Sequence, residues 1–406
     1  MNITTDFPEA TPCEIEIQSP SRARCRFTSK TCGSQTFHFC VRVEGLARGQ
    51  QAELEVIWPV VTTPSSRKPE PGSGKSQVMM DSFLTVVPKT LMRSRDLDNW
   101  LPLAGVRLDE EADTMVVPLV GDGEPIYLAS QVPYRPSYYQ ALLEHVRSGA
   151  PDALREIGRS QAGSPLYVVD LPATGADAAD APAVYVQALQ HCGEHSGAFV
   201  VDTLLRMLLD GEAAQPLRRR VHWQIMPMLD VDGFHRRQDQ AIATLGSNVR
   251  GKNPNRDWNV GEWPEVAAVL NWWQQQMDAG RRYRACLDLH NGWSNRGESG
   301  ASYTVFTDDV AGAEDIASQR EFIDFMYART DHEIAKYWAS RTAAGHMTCK
   351  EAFYRATDTP LSFTVEFSRH MWWDRTSQSY VAPRPDHPRR WAHDMAPAMV
   401  EFLGEG

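Results

Sequence analysis

The chain has 406 residues, 42% of them hydrophobic, including twelve tryptophans; that is too long for one compact core and apolar enough to fill two. A net charge of -11 disfavours nucleic acid as the main partner, and charged residues at 23%, well mixed, exclude global disorder. No run of about 18 apolar residues marks a membrane-spanning helix, residues 1–6 lack the charged start and apolar stretch of a secretory signal, and seven cysteines without framework spacing fit a reducing cytoplasm.

From the N-terminus, residues 13–17, 36–43 and 52–57 alternate apolar and polar side chains with turn residues between them. That pattern predicts an antiparallel β-sandwich over residues 1–133. Residues 63–74, rich in Pro, Ser and Gly, read as a surface loop within it. Cys13, Cys25, Cys32 and Cys40 form no C-x-x-C pair, so they read as free thiols of that domain. Near residue 133 the period turns helical, with Tyr138, Leu142, Leu143 and Val146 on one face. Residues 134–406 then alternate strand and helix. Strands are expected at 166–169, 184–189, 221–226, 284–289, 302–306 and 362–367, with a mobile loop at 172–182. Helices are expected at 198–209, 264–277, 323–338 and 391–402. The fold class is α/β, a mixed twisted sheet flanked by helices, preceded by the all-β domain.

The chemistry concentrates in His191-Cys192-Gly193-Glu194-His195, directly after the apolar run 184–189. Buried His and Glu must be paired or must bind a metal. Read as H-x-x-E, the cluster supplies two metal ligands, His191 and Glu194. Read as H-x-x-E-H, it supplies two His ligands and a base, the inverzincin arrangement. The first reading needs a third ligand from another strand end; His290 fits, at the end of the run 285–289 and just before Asn291-Gly292. The second needs a helix carrying His191 and His195 together, a later Glu ligand such as Glu262 or Glu265, and tolerance of Gly193 and Ser196-Gly197, which are poor helix formers. Glu366 lies on the otherwise apolar run 363–367. It is either a general base near the metal or a carboxylate on the solvent face of an edge strand. Asn255-Arg256 pairs an amide with a guanidinium, which suits a carboxylate ligand.

Five motifs occur in one order. Gln190-His191-Cys192-Gly193-Glu194 resembles Q-H-P-G-E, and the run from Pro227 to Gly233 resembles P-x-L-N-P-D-G. The run from Gly251 to Trp258 resembles G-x-[DN]-L-N-R-x-W, Asp288-Leu289-His290 resembles D-L-H, and Tyr354 to Glu366 resembles the segment ending in Y-T-L-E. Together they resemble the funnelin-type zinc metallocarboxypeptidases, in particular their cytosolic-carboxypeptidase-like branch with its N-terminal β-domain. The resemblance runs from about Ile126 to the C-terminus.

This resemblance implies one zinc ion held by His191, Glu194 and His290, with Glu366 as general base for a zinc-activated water attacking a C-terminal amide. It implies that Asn255 and Arg256 grip the free carboxylate of a peptide or peptide-like substrate. Tyr354 aligns with a tyrosine of the family's specificity loop, where it either closes over that carboxylate or is an ordinary packed tyrosine. Three departures stand out. Asn253 replaces the Asp that orients a zinc histidine. Gly246 replaces the Arg that polarises the scissile carbonyl, leaving Arg250, Arg236 or Arg237 as substitutes. The loop from Asn291 to Arg296 is unusually polar and aromatic. Arg355 would favour an acidic substrate side chain and nearby Glu351 a basic one. A small-molecule amidohydrolase on the same scaffold, acting on an N-acyl amino acid or a peptide-like natural product, is the competing function. A non-catalytic zinc- or peptide-binding protein would leave Glu366 without purpose.

Overall fold

The computed structural model describes residues 1–26, 39–57, 91–109, 114–212, 214–235, 253–291, 302–307, 310–330, 334–338, 347–368 and 372–405. The expected loop at 63–74, together with Cys32, Arg236, Arg237, Gly246 and Arg250, lies outside them. Contacts divide the chain into two compact units, which part between Pro133 and Tyr134.

Among the described residues the N-terminal unit holds ten short strands in two five-stranded sheets. One contains β1 (Asn2–Thr4), β4 (Cys40–Glu44), β10 (Ile126–Ala129), β6 (Leu91–Ser94) and β7 (Trp100–Leu103) in that spatial order. The other contains β2 (Glu14–Ser19), β3 (Arg22–Arg26), β5 (Gln51–Ile57), β9 (Thr114–Val120) and β8 (Arg107–Asp109). Alternation explains the sandwich: Ala52, Leu54 and Val56 of β5 share one buried cluster with Val41 and Val43 of β4 and Leu128 of β10. The pairing is antiparallel except between β3 and β5, which run parallel. Between them the chain crosses to the opposite sheet as β4 and returns, which restores the original direction.

The second unit is built on an eight-stranded mixed sheet. Its strands are β11 (Leu154–Arg159), β12 (Pro165–Leu171), β13 (Ala183–Ala188), β14 (His222–Met226), β15 (Tyr283–Asn291), β16 (Ser302–Val305), β17 (Ile334–Trp338) and β18 (Leu361–Phe367). Their spatial order is β11-β12-β14-β13-β15-β18-β16-β17. The central strands β14, β13, β15 and β18 are parallel, while β12 and β16 join them antiparallel. A further pair, β19 (Trp372–Asp374) and β20 (Ser379–Val381), forms a small hairpin. The helices are α1 (Pro136–Gly149), α2 (His195–Leu209), α3 (Ala214–Arg219), α4 (Val231–His235), α5 (Pro264–Asp278), α6 (Ala313–Tyr327), α7 (Cys349–Thr357) and α8 (Asp386–Glu405). Among the described residues no helix is long and apolar enough to cross a membrane.

The two faces of the central strands differ in chemistry, and this difference positions the site. Val184, Val186 and Ala188 of β13, Ala285, Leu287 and Leu289 of β15, and Phe363, Val365 and Phe367 of β18 form one apolar core with α2 and α8. Strand period two sends Tyr185 and Gln187, then Cys286, Asp288 and His290, then Ser362, Thr364 and Glu366, to the other face. There Trp273 of α5 and Phe353 of α7 pack on Tyr185. On the apolar face the fit is tight at Gly197: a Cβ there would lie 3.0 Å from both Cβ and the carbonyl oxygen of Leu289.

Three expectations change, and one helix is new. The helix expected at 323–338 is two elements: α6 ends at Tyr327, and the apolar residues after Thr330 belong to edge strand β17, which pairs with β16. In α1 the buried aromatic is Tyr139, not Tyr138; Tyr139, Leu142, Leu143 and Val146 are the set with i, i+3, i+4, i+7 spacing. The loop 172–182 is tied down where Thr174 and Gly175 donate to the carbonyls of Arg218 and Arg219. Residues 349–357 form a helix that the alternation did not announce. Its signal was a capping box, in which Thr348 and Glu351 satisfy each other's backbone.

Candidate metal centre and active site

The β13 strand ends at Ala188, and the next residue, Leu189, has a φ of 52°, which is left-handed and therefore strained for a leucine. Flanking hydrogen bonds hold this turn: Leu229 and Asp230 donate their backbone N–H to the carbonyls of Ala188 and Leu189. The chain then folds tightly through Gln190 to Glu194, with the Glu194 N–H on the His191 carbonyl at 3.0 Å, and enters α2 at His195. His191 thus precedes the helix that His195 starts. The two histidines do not share a helical face, which removes the geometry the inverzincin reading required.

His290 arrives from β15, 99 residues later in sequence. Its Nδ1 lies 3.2 Å from Nδ1 of His191 and 2.7 Å from Glu194 Oε2. His191 Nδ1 lies 3.0 Å from Glu194 Oε1. The three side chains are buried and form the one candidate metal group among the described residues. Zinc bonds of about 2.0–2.1 Å at tetrahedral angles imply donor–donor edges of about 3.3 Å, close to the separations seen. Two neutral imidazole nitrogens and a carboxylate are also the donor types zinc takes in hydrolytic sites.

Each imidazole is held from behind. His191 Nε2 lies 3.1 Å from Asn253 Oδ1, which also accepts the Asn255 N–H at 2.8 Å. His290 Nε2 lies 3.0 Å from Asp288 Oδ2. With their outer nitrogens engaged, both rings turn Nδ1 inward. The electrostatics favour a cation at the centre. Burial alone would raise the Glu194 carboxyl, but the two imidazoles outweigh it and hold Glu194 below the carboxylate range. Burial alone would lower His290, yet Asp288 and Glu194 outweigh it and push the imidazole up.

Glu366 sits beside this centre. It pairs laterally with His290 across the parallel β15 and β18, so both side chains leave the same face. The strand β18 is interior, flanked by β15 and β16, so the edge-strand alternative is excluded. Asn255 and Arg256 lie on the short 3-10 turn Pro254–Arg256. The Asn255 carboxamide is buried; its nitrogen is 3.4 Å from His290 Nε2 and its oxygen accepts the Cys349 N–H. Desolvation lowers the Arg256 guanidinium, while Glu351 and Glu366 oppose that. Arg256 therefore lies in the field of the Glu366 carboxylate.

Two expected residues are engaged elsewhere. The Tyr354 hydroxyl donates to Asp315 of α6 at 2.6 Å, joining α7 to α6. Glu351 spends Oε2 on the Thr348 N–H and hydroxyl, and its Oε1 lies 3.6 Å from Lys350 Nζ. Its charge also acts on Arg256, whose guanidinium it raises against desolvation. No motif marks Gln187, a fully buried amide whose Nε2 donates to Asp288 Oδ1 at 2.8 Å. The available signal was a lone glutamine inside the apolar run 184–189.

A mixed sheet whose parallel strands deliver a His/Glu/His set and a neighbouring glutamate to one rim defines a zinc hydrolase. The zinc carboxypeptidase family model matches residues 139–371, more than half of the sequence, and the chain belongs to that family. The family's members bind zinc and are hydrolases acting on peptides. Among solved structures the chain is similar to a metallo-carboxypeptidase from Burkholderia cenocepacia, at 19% identity and a TM-score of 0.78, covering 100% of this chain and 99% of that one. It is also similar to a metallo-carboxypeptidase from Pseudomonas aeruginosa, at 18% identity and a TM-score of 0.74, with 100% of both chains covered. No curated protein shows a significant match.

Proposed function

We propose that the chain is an exo-acting metallocarboxypeptidase that hydrolyses the C-terminal amide of a peptide or protein, with His191, Glu194 and His290 as zinc ligands and Glu366 as general base. The observation that carries this reading is the lateral pairing of His290 with Glu366, because a base must stand within reach of the water it deprotonates. Zinc, when bound, supplies Lewis-acid activation of a water molecule. Glu366 accepts the proton released on attack at the carbonyl and returns it to the leaving amine. The Arg256 guanidinium, braced through Nη1 on the Asn255 carbonyl at 2.6 Å, pairs with the substrate's free carboxylate, a fork-to-fork geometry suited to arginine. On the same turn, the Asn255 amide nitrogen lies 3.4 Å from His290 Nε2, the ring nitrogen turned away from the metal site.

Within this reading residues 1–133 form the β-sandwich domain and residues 134–406 the catalytic domain. The motif order supports the cytosolic-carboxypeptidase-like branch. The six described cysteines are all free thiols, which supports a cytoplasmic setting. Gly246, in place of the family's Arg, and the polar-aromatic sequence after His290 favour the small-molecule amidohydrolase as the second reading, with Arg250, Arg236 or Arg237 as the substitute donor to the carbonyl.

A panel of blocked dipeptides, each with a free or an amidated C-terminus, tests the proposal. Hydrolysis is expected for the free acids and not for the amides. Equal turnover of both would remove the role of Arg256 as carboxylate anchor, and turnover of N-acyl amino acids with none of dipeptides would select the second reading.

A further inference from the structure

The polar face of the central strands carries a chain of buried hydrogen bonds that begins well behind the metal centre. Gln187 of β13 lies level with Asp288 of β15 in the parallel register. Both are wholly buried. The Gln187 amide uses every hydrogen it has. Its Nε2 donates to Asp288 Oδ1 at 2.8 Å and to Gln190 Oε1 at 2.9 Å, and its Oε1 accepts the Tyr185 hydroxyl at 3.1 Å. This fixes which end of the amide is nitrogen, since an ionised carboxylate accepts and does not donate. The other Asp288 oxygen, Oδ2, is the one that faces His290 Nε2.

A buried carboxylate needs donors on both oxygens, or it turns to find them. Asp288 receives one from Gln187 and one from His290. The metal centre is also asymmetric: His191 rests on the neutral Asn253 amide and His290 on the Asp288 carboxylate. The charge that backs the ligand set from this side therefore depends on how well Asp288 is held.

We infer that Gln187 is a positioning residue of the metal centre: through Asp288 it fixes the His290 ring with Nδ1 toward His191 and Glu194, and so sets the affinity for zinc. This rests on the ligand assignment made above, and the test separates the two.

Zinc affinity is measured by competition with a chromophoric chelator on the full chain, for wild type, Gln187→Met, Asp288→Asn, their double variant and His290→Ala. Methionine keeps the volume and the unbranched shape of glutamine and removes the donors; thermal unfolding of the metal-free proteins checks that the variant folds. His290→Ala is expected to lose stoichiometric zinc; full retention would overturn the ligand assignment itself. With that assignment standing, Gln187→Met is expected to weaken zinc binding roughly 10–100-fold, the range for residues supporting a ligand from behind. The double variant should bind no more weakly than Asp288→Asn, because the two residues act through one bond chain. The visible spectrum of the cobalt-substituted protein should shift in Gln187→Met. Unchanged zinc affinity and cobalt spectrum with a lowered unfolding temperature would show a packing role only and overturn the inference. Additive losses in the double variant would also overturn it.

Discussion

The His191 imidazole turns its outer nitrogen onto the side-chain oxygen of Asn253, at 3.1 Å, where the resembling family places an aspartate. The contact survives the exchange because an amide oxygen accepts the same hydrogen bond. What is lost is the negative charge that makes the imidazole a stronger donor to a metal. Asn253→Asp is therefore expected to tighten zinc binding by up to about 10–100-fold, and Asn253→Leu to weaken it by a similar factor. Chelator competition measures both. Weaker binding in Asn253→Asp would show that the site requires a neutral group there.

Glu366 leaves the strand beside His290 without belonging to the candidate ligand set. Glu366→Gln keeps the shape and removes the proton acceptor. Its kcat is expected to fall by about 10²–10⁴-fold, with zinc content unchanged by elemental analysis. Near-normal turnover would move the base to another residue.

Asp230 couples pH to stability. It is buried, and desolvation first of all pushes its carboxyl up to about 7, with the nearby Glu265 and Asp232 adding to this. An aspartate in the unfolded chain titrates near about 3.9. Between those values the folded protein holds a proton that the unfolded chain releases. The contribution is fully present at low pH and is lost as pH rises toward 7. Asp230→Asn keeps an acceptor for the Gly233 N–H, which now meets Oδ1 at 2.9 Å. It is expected to stabilise the protein by roughly 1–3 kcal/mol at neutral pH, with no gain near pH 4. Urea unfolding at several pH values measures this; a gain independent of pH would assign the effect to packing.

Gly197 tests the contact between helix and sheet. Alanine would improve helix propensity by about 1 kcal/mol. Its methyl would meet the Leu289 carbonyl oxygen and Cβ at 3.0 Å and the Ala188 Cβ at 3.3 Å, and strand backbone does not yield cheaply. Overpacking costs of about 1–3 kcal/mol are expected to win. Gly197→Ala should therefore unfold at a lower temperature and bind zinc more weakly, because Leu289 precedes His290. A rise in unfolding temperature would contradict the tight packing.

Residue-level pattern carried most of the site. The spacing of His191 and Glu194 after an apolar run, the glycine between them and the end of the run at His290 were all local signals, and the structure brings those three together. Strand period two put Asp288 on the same face as His290, whereas Glu366 stood open between a general base and an edge-strand carboxylate, and the interior place of β18 removed the second choice. The helix break after Tyr327 is not legible in the sequence because apolar residues on both sides of it keep a spacing that suits one long helix. Tyr354 was tied to the centre by motif position, yet its hydroxyl reaches Asp315, a partner on another helix that no motif records.

The sequence by itself determined the donor types, the local turns that present them and the face of each strand, because these depend on residues a few positions apart. Tertiary structure decided which strands become neighbours and in what register. The pairing of β13 with β15 and of β15 with β18 sets Gln187 level with Asp288 and His290 level with Glu366. Register is a non-local choice: a shift of one residue would send each of these side chains to the apolar face. The burial of the aliphatic face against α2 and α8 holds that register, and with it the metal centre.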